Sequence, residues 1–406
     1  MMDADSFKKI PTPDSFCPRS AAKVPPMRNL SKSKILAYRQ CSKRLWLEIH
    51  QPDLRDDSAS AAVFAIGNQV GEIARQLFDP DRTGVTIDIG ELGHPEALAR
   101  SAILLAEGEG PVFEAGLTAA GALAYADVML PDRSDGTLRW KMVEVKSSGS
   151  VKSYQRDDLA VQSYLAAQAG IPLSSASIGH IDNRFLYQSD GDYRGLLHEE
   201  DLTEEASSRH DEVAAWIAGA HGIAALTEEP DVATGPHCAI PYNCSFCDHC
   251  HRDQVWPEYP ISSFPNLSGW RRAAVEAENT DDLREIPDNL LTAMQLRVKQ
   301  ACVSGEAYFD AAADLAPHAF PAYFLDFETA MFTVPIWKGT RPFQQIPFQF
   351  SLHILDQAGS LQHHGFLDLS GGDPSLACAR SLIDHCGVQG PVFAYSAGFE
   401  KTRHHG

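Results

Sequence analysis

No run of about 18 apolar residues occurs in the 406-residue chain, so no segment is expected to span a membrane. The start, MMDADSFKKIPTPDSFCPRSAAKVPPMRNL, lacks the charged-then-apolar order of a secretory signal. Residues 1–30 read instead as a polar, proline-bearing disordered tail, and the chain is expected to be cytoplasmic. Repeats of solenoid length are missing as well. Positive charge is scarce: 34 Lys and Arg stand against 54 Asp and Glu, a net charge of −20. That balance argues against a non-specific polyanion binder.

The shortage of cations is uneven. Residues 1–50 hold ten Lys or Arg against four Asp or Glu, while HEEDLTEEASSRHDE (198–212) carries much of the acidic excess. A basic face on the first helix therefore suffices for phosphate contacts. An apolar fraction of 44% is ample for a core, and the length favours two domains over one. Nine cysteines in a reducing compartment do not make a disulfide framework, and clustered ones point to a metal.

The chain is organised around GALAYADVMLPDRSDGTLRWKMVEVK (121–146), which reads as two antiparallel strands joined by a dense turn. Asp127 lies in the first strand. Glu144 and Lys146 are two apart in the second, so they share a face with Met142, and Val143 and Val145 take the other. Two carboxylates and an ammonium on one patch suit a divalent cation, Mg²⁺ or Mn²⁺, which is held by one or two carboxylates plus phosphate and water. Such an ion lowers the pKa of water and polarises a phosphate, and Lys146 can stabilise the charge gathering there.

Helices are expected through Ile35–Ile49, with Cys41 on it, through Ala61–Phe78, carrying Gly71 and Glu72, and from Ser153 to the stop at Gly170, carrying Tyr154 and Gln162. A strand is expected over Ala176–Tyr187 and one long helix from Thr203 to about Leu226. Cys238, Cys244, Cys247 and Cys250 then fall within thirteen residues. With Cys41 they make five candidates for a four-thiolate site, either a [4Fe–4S] cluster or zinc. Residues 257–316 read as a helical linker. From 317 onward, strands, a helix and another strand begin a second α/β unit, whose first strand places Asp326 and Glu328 on one face.

The strand-turn-strand order, the following helix with Gln162 and the flanking cysteines resemble the RecB-like branch of the PD-(D/E)xK nucleases, over roughly Leu30–Trp256. The resemblance implies a restriction-endonuclease-like α/β core with flanking helices. It also implies metal-dependent cleavage of DNA, single-stranded or with free ends, with Asp127, Glu144 and Lys146 in the catalytic positions and Gln162 in the helix motif. Asp127 and Glu144 would be the metal ligands. Glu72 is a further candidate ligand beside Gly71, where many relatives carry histidine, and Ala166 stands where many carry tyrosine. Iron–sulfur members place one cysteine on an early helix and three after the core. That split points to Cys41, Cys238, Cys244 and Cys250, with Cys247 the alternate, as a staple closing roughly 200 residues.

Asp326-Phe327-Glu328 resembles the first motif of DEDD-type exonucleases, FAYSAGFEKT resembles the second with Glu400 in place of aspartate, and Trp337–Ile354 resembles a stretch of an uncharacterised bacterial family joining such a nuclease to an exonuclease-like domain. The expectation for 317–406 is therefore the first part of an RNase H-like domain, lacking its last metal ligand. A non-catalytic nucleic-acid-binding or scaffold protein with a zinc or iron–sulfur staple is the alternative. A redox sensor is a third reading that rests on the cysteines alone.

Overall fold

Alternating apolar residues between 112 and 146 require a sheet with a covered face, and the helical periods on either side of them supply the cover. The computed structural model describes residues 29–56, 60–278, 280–307 and 311–394. The expected disordered tail and the motif around Glu400 lie outside them, apart from Asn29, whose side chain donates to Thr118 Oγ1, and Leu30, which pairs with Ala122 of the sheet.

The chain enters through β1 (Leu30–Ser31), α1 (Lys32–Gln40) and α2 (Ser42–His50). The single helix expected here is broken at Cys41, whose extended backbone (φ −163°, ψ 126°) separates two short ones. Next come α3 (Ser60–Phe78), β2 (Val85–Thr86) and α4 (Ile89–Glu107), which bends at Gly93. Strands β3 (Val112–Ala119), β4 (Ala122–Asp132) and β5 (Arg139–Lys146) form an antiparallel meander. Helix α5 (Ser153–Gln168) then crosses to β6 (Leu173–Ile181), parallel to β5, and β7 (Leu197–Asp201) returns antiparallel. The sheet order is β2-β3-β4-β5-β6-β7, with β1 alongside β4.

Two expectations need correcting. The strand expected over Ala176–Tyr187 begins earlier and stops at Ile181, because Asp182 caps a turn by accepting from Arg184 N. The long helix is two, α6 (Thr203–Ser208) and α7 (His210–Ala224), interrupted at Arg209. The Thr203 hydroxyl accepts from Ala176 N and donates to Asp201, tying the helix to β6.

The two faces of β5 set the layers. Trp140 and Met142 join the main core with Leu159, Val161 and Leu165 of α5 and Trp216 and Ile217 of α7. Val143 and Val145 face the other way, toward Val70, Ile73 and Phe78 of α3. Helix α4 approaches β3 closely: a Cβ on Gly116 would lie 2.7 Å from Leu98 Cδ2 and 3.1 Å from Tyr125, so those side chains would have to move to admit one.

Beyond α7 the cysteine segment leads through α8 (Cys247–His251) to α9 (Gly269–Glu276) and α10 (Ala293–Ser304). Phe264, Val275, Leu283 and Ile286 form a small core of their own there. Thr292 and Gln295 make a capping box for α10, and Gly305 ends it in the left-handed region. After α11 (Ala311–Leu315), a second sheet is built from β8 (Ala322–Met331), β9 (Gln345–Leu355), β10 (Leu361–Leu367) and β11 (Val392–Ala394), ordered β10-β9-β8-β11. β8, β9 and β10 are antiparallel neighbours and β11 is parallel to β8. α12 (Ser375–His385) covers one face through Cys378 and Leu382.

The 332–344 segment joins the two sheets. Val334 and Phe343 pack with Val70, Ile73, Ile181 and Leu196, and Tyr187 exchanges backbone hydrogen bonds with Gly339 (2.7 Å) and Thr340 (3.0 Å). No helix among the described residues is long and apolar enough to cross a membrane. The molecule is mixed α/β.

Candidate active site

Register alone gathers acids. The β3–β4 ladder pairs Phe113 with Val128 and Ala115 with Ala126, so the rung between sets Glu114 across from Asp127. The β4–β5 ladder pairs Val128 with Val143, and the next rung sets Asp127 across from Glu144. Glu114, Asp127 and Glu144 therefore form one row over three strands spaced about 4.8 Å apart. Glu114 has φ +54°, a strained conformation for a non-glycine residue. The row lines a cleft of about 640 Å³ between α3 and the sheet, together with Lys146, Gly67 and Gly71.

Below the row the groups interlock. Lys146 Nζ lies 2.6 Å from Glu144 Oε1 and 2.6 Å from Asp158 Oδ2. Lys32 Nζ reaches the same two residues, at 2.9 Å and 2.7 Å. Gln162 Nε2 donates to Glu144 Oε2 at 2.6 Å, and Asp127 Oδ2 accepts from Val145 N at 2.6 Å. Glu144 is 2% and Gln162 0% exposed. The buried Oε1 of Gln162 has no hydrogen-bond partner.

Electrostatics follow from burial and neighbours. Burial opposes the charge on Lys146, but Asp158 and Glu144 outweigh it and hold the ammonium well above the ordinary lysine range. Burial likewise opposes ionisation of Asp158, and there Lys146 and Lys32 win and lower its pKa. Asp127 goes the other way: burial first, then the charge of Glu144, push it well above the usual carboxylate range. Glu114 is raised for the same two reasons.

All four sequence-derived catalytic positions thus come together, Asp127, Glu144 and Lys146 at the cleft and Gln162 behind them. Glu72 does not join them: it is exposed and occupied by Arg75 (2.6 Å) and Gln76 on its own helix. Asp326 and Glu328 stand on the second sheet, both exposed on the face of β8 opposite α12. Three participants were missed. Asp158 has a sequence signal, since it precedes Gln162 by four residues and shares its helix face. Lys32 and Glu114 had none, because nothing local says that α1 and β3 converge on β5.

Whether a divalent ion suits this place is answered by its donors. They are hard oxygens, burial and Glu144 raise Asp127 and Glu114 despite Lys146 and Lys32 nearby and Arg75 3.9 Å from Glu114, and Gln162 Oε1 is an unused acceptor. Among the described residues no three His, Cys, Asp or Glu side chains form a ready cage. An ion here would rest on one or two carboxylates plus backbone or water, the usual habit of Mg²⁺.

Cys41, Cys238, Cys244, Cys247 and Cys250 line one small enclosed pocket. Cys41 reaches it because the break between α1 and α2 frees its backbone from the helix. Phe246, Trp46 and Leu47 pack against Cys244 and Cys250. Burial raises the Cys250 thiol to about 11, and Cys244, Cys238 and Cys41 lie close enough to add to it. Five cysteines thus share one pocket, with Cys250 near Cys244, Cys238 and Cys41, and Cys247 near Cys238 and Cys244, although among the described residues no three His, Cys, Asp or Glu side chains stand ready to hold a metal.

No curated protein matches the chain. A family model described as a domain of unknown function (DUF2779) matches residues 323–405, from β8 through α12 and β11.

Proposed function

We propose that the chain is a metal-dependent DNA nuclease of the RecB-like PD-(D/E)xK type, stapled by a [4Fe–4S] cluster or, alternatively, by zinc. The observation that carries this reading is the row Glu114–Asp127–Glu144 at an open cleft with the Lys146 ammonium 2.6 Å from Glu144. A divalent ion, when bound, supplies charge to polarise the scissile phosphate and activate water. Asp127 and Glu144, with Glu114 beside them, would hold it. Lys146 keeps its proton at neutral pH, so it serves as a fixed cation facing the charge that develops on the phosphate, not as a base. Gln162 and Lys32 orient Glu144 from behind. The cysteine centre stands apart from this chemistry and ties α1 and α2 to the segment after α7. The order β10-β9-β8-β11, with the last strand parallel to β8, supports reading the second sheet as RNase H-like.

The test is digestion of single-stranded DNA with Mn²⁺ or Mg²⁺. Wild type is expected to cleave, and Lys146→Ala to lose about 10²–10³-fold in rate with unchanged thermal stability of the cysteine segment. Absence of metal-dependent cleavage by wild type, or cleavage indifferent to Lys146→Ala, sinks the reading. The non-catalytic alternative gains from the former result, since Lys32, Lys146 and Gln162 already engage both oxygens of Glu144.

A further inference from the structure

The first half of α3 is bare. Residues 62–69 (AVFAIGNQ) are all exposed, and burial begins only at Val70. The stretch opens with five consecutive apolar residues, among which Val63 is 65%, Phe64 62% and Ile66 37% exposed. A helix that is apolar on every side is ordinarily buried, so an uncovered run of this length marks a contact surface.

Its position says what it meets. Val63 and Phe64 line the same cleft of about 640 Å³ as Asp127, Glu144 and Lys146, and Phe64 is the one aromatic side chain in that lining. Gly67 and Gly71, one and two turns further along α3, line it as well, and a Cβ built on either meets nothing within 4 Å. The space beside the helix therefore stays open from the acids to Phe64. Phe64 lies about 10 Å along the helix from Gly71, a distance that a short piece of strand covers.

The charges of the cleft give a phosphate little hold of their own. Glu114, Asp127 and Glu144 stand against Lys146 and Arg75. Lys146 is paired at 2.6 Å with Glu144 and with Asp158, and Arg75 at 2.6 Å with Glu72. A strand must then gain affinity through its bases as well as through a metal ion. An exposed aromatic face stacks on an unpaired base whatever its identity. Inside a duplex both faces of each base are already stacked, so this contact is open only to unpaired bases.

We propose that Phe64 is the base-binding residue of the cleft: it stacks on an unpaired base near the scissile phosphate and so selects single strands and frayed ends over closed duplex. The inference rests on the nuclease reading and adds to it the side chain that discriminates between strands.

The test is fluorescence anisotropy with the full chain in Ca²⁺, using a labelled oligothymidylate and an abasic strand of the same length. Wild type is expected to prefer the oligothymidylate about tenfold. Phe64→Ala should lose that preference by weakening on the oligothymidylate alone, and its affinity for a blunt duplex should equal that of wild type. Phe64→Trp should keep the preference. Phe64→Leu, which retains apolar bulk without a ring face, should lose most of it and decides the matter if Phe64→Ala does not fold; full preference in Phe64→Leu overturns stacking. Equal preference in wild type and Phe64→Ala, alongside Mn²⁺-dependent cleavage that Lys146→Ala abolishes, overturns the role of Phe64 and leaves the nuclease reading standing; an apolar lip made for a protein partner gives this result. A wild-type chain that neither binds nor cuts the strand overturns both.

Discussion

Asp158 shows how much a single side chain holds in this molecule. It is 5% exposed and pairs with Lys146 and Lys32 at 2.6 and 2.7 Å. Its removal leaves two buried ammonium groups sharing Glu144. Asp158→Ala is expected to cost about 3 kcal/mol, the low end for a broken buried pair because Glu144 still serves both lysines. Urea denaturation at pH 7 measures it. The sign with pH is set by the lowered pKa. Asp158 contributes stability above the unfolded value of 3.8, and that contribution is lost as pH falls below it. Asp158→Asn should therefore flatten the fall in stability below about pH 4. Gln162→Leu strands the buried Oε2 of Glu144 and is expected to cost about 1–3 kcal/mol by the same assay.

Helix α3 lays its apolar stripe on Val145 and its glycines along the cleft. Nothing lies within 4 Å of a Cβ built on Gly71. Gly71→Ala should therefore raise stability by about 0.5–1 kcal/mol, and a rise in melting temperature without loss of cleavage checks it. The stripe shows where sequence reading succeeds. The bounds of α3 and α5 and the opposed faces of β5 follow from periodicity, because in each the apolar residues meet a neighbouring layer. It fails where a polar contact overrides the period. The break at Cys41, which turns it toward the other cysteines, has no glycine or proline to announce it, and the pause at Arg209 serves ion pairs to Asp157 and Glu212. In the site, Asp127, Glu144, Lys146 and Gln162 were legible because two adjacent strands and one helix carry them. Glu114 and Lys32 were not, because their part depends on register and on a long-range contact. Glu72 was misplaced by one helix position, a turn of about 100° away from Gly71 on the cleft wall.

Across the whole molecule, the two sheets are joined by more than the 257–316 segment. Val334 is 2% exposed between Ile181 and α3, and Lys338 pairs with Asp190 at 2.7 Å. Val334→Asp buries an unpaired carboxylate there. Limited proteolysis is expected to cut this variant near 332–344 at protease levels the wild type resists, and equal resistance would show that the docking carries little energy. The hook also decides how the chain can be shortened. A version ending before residue 332 would uncover Val70 and Ile73 of α3, with Ile181 and Leu196 beside them, where Val334 and Phe343 now pack. Such a fragment should scatter light at concentrations where the intact chain stays clear, however complete its acids and cysteines are.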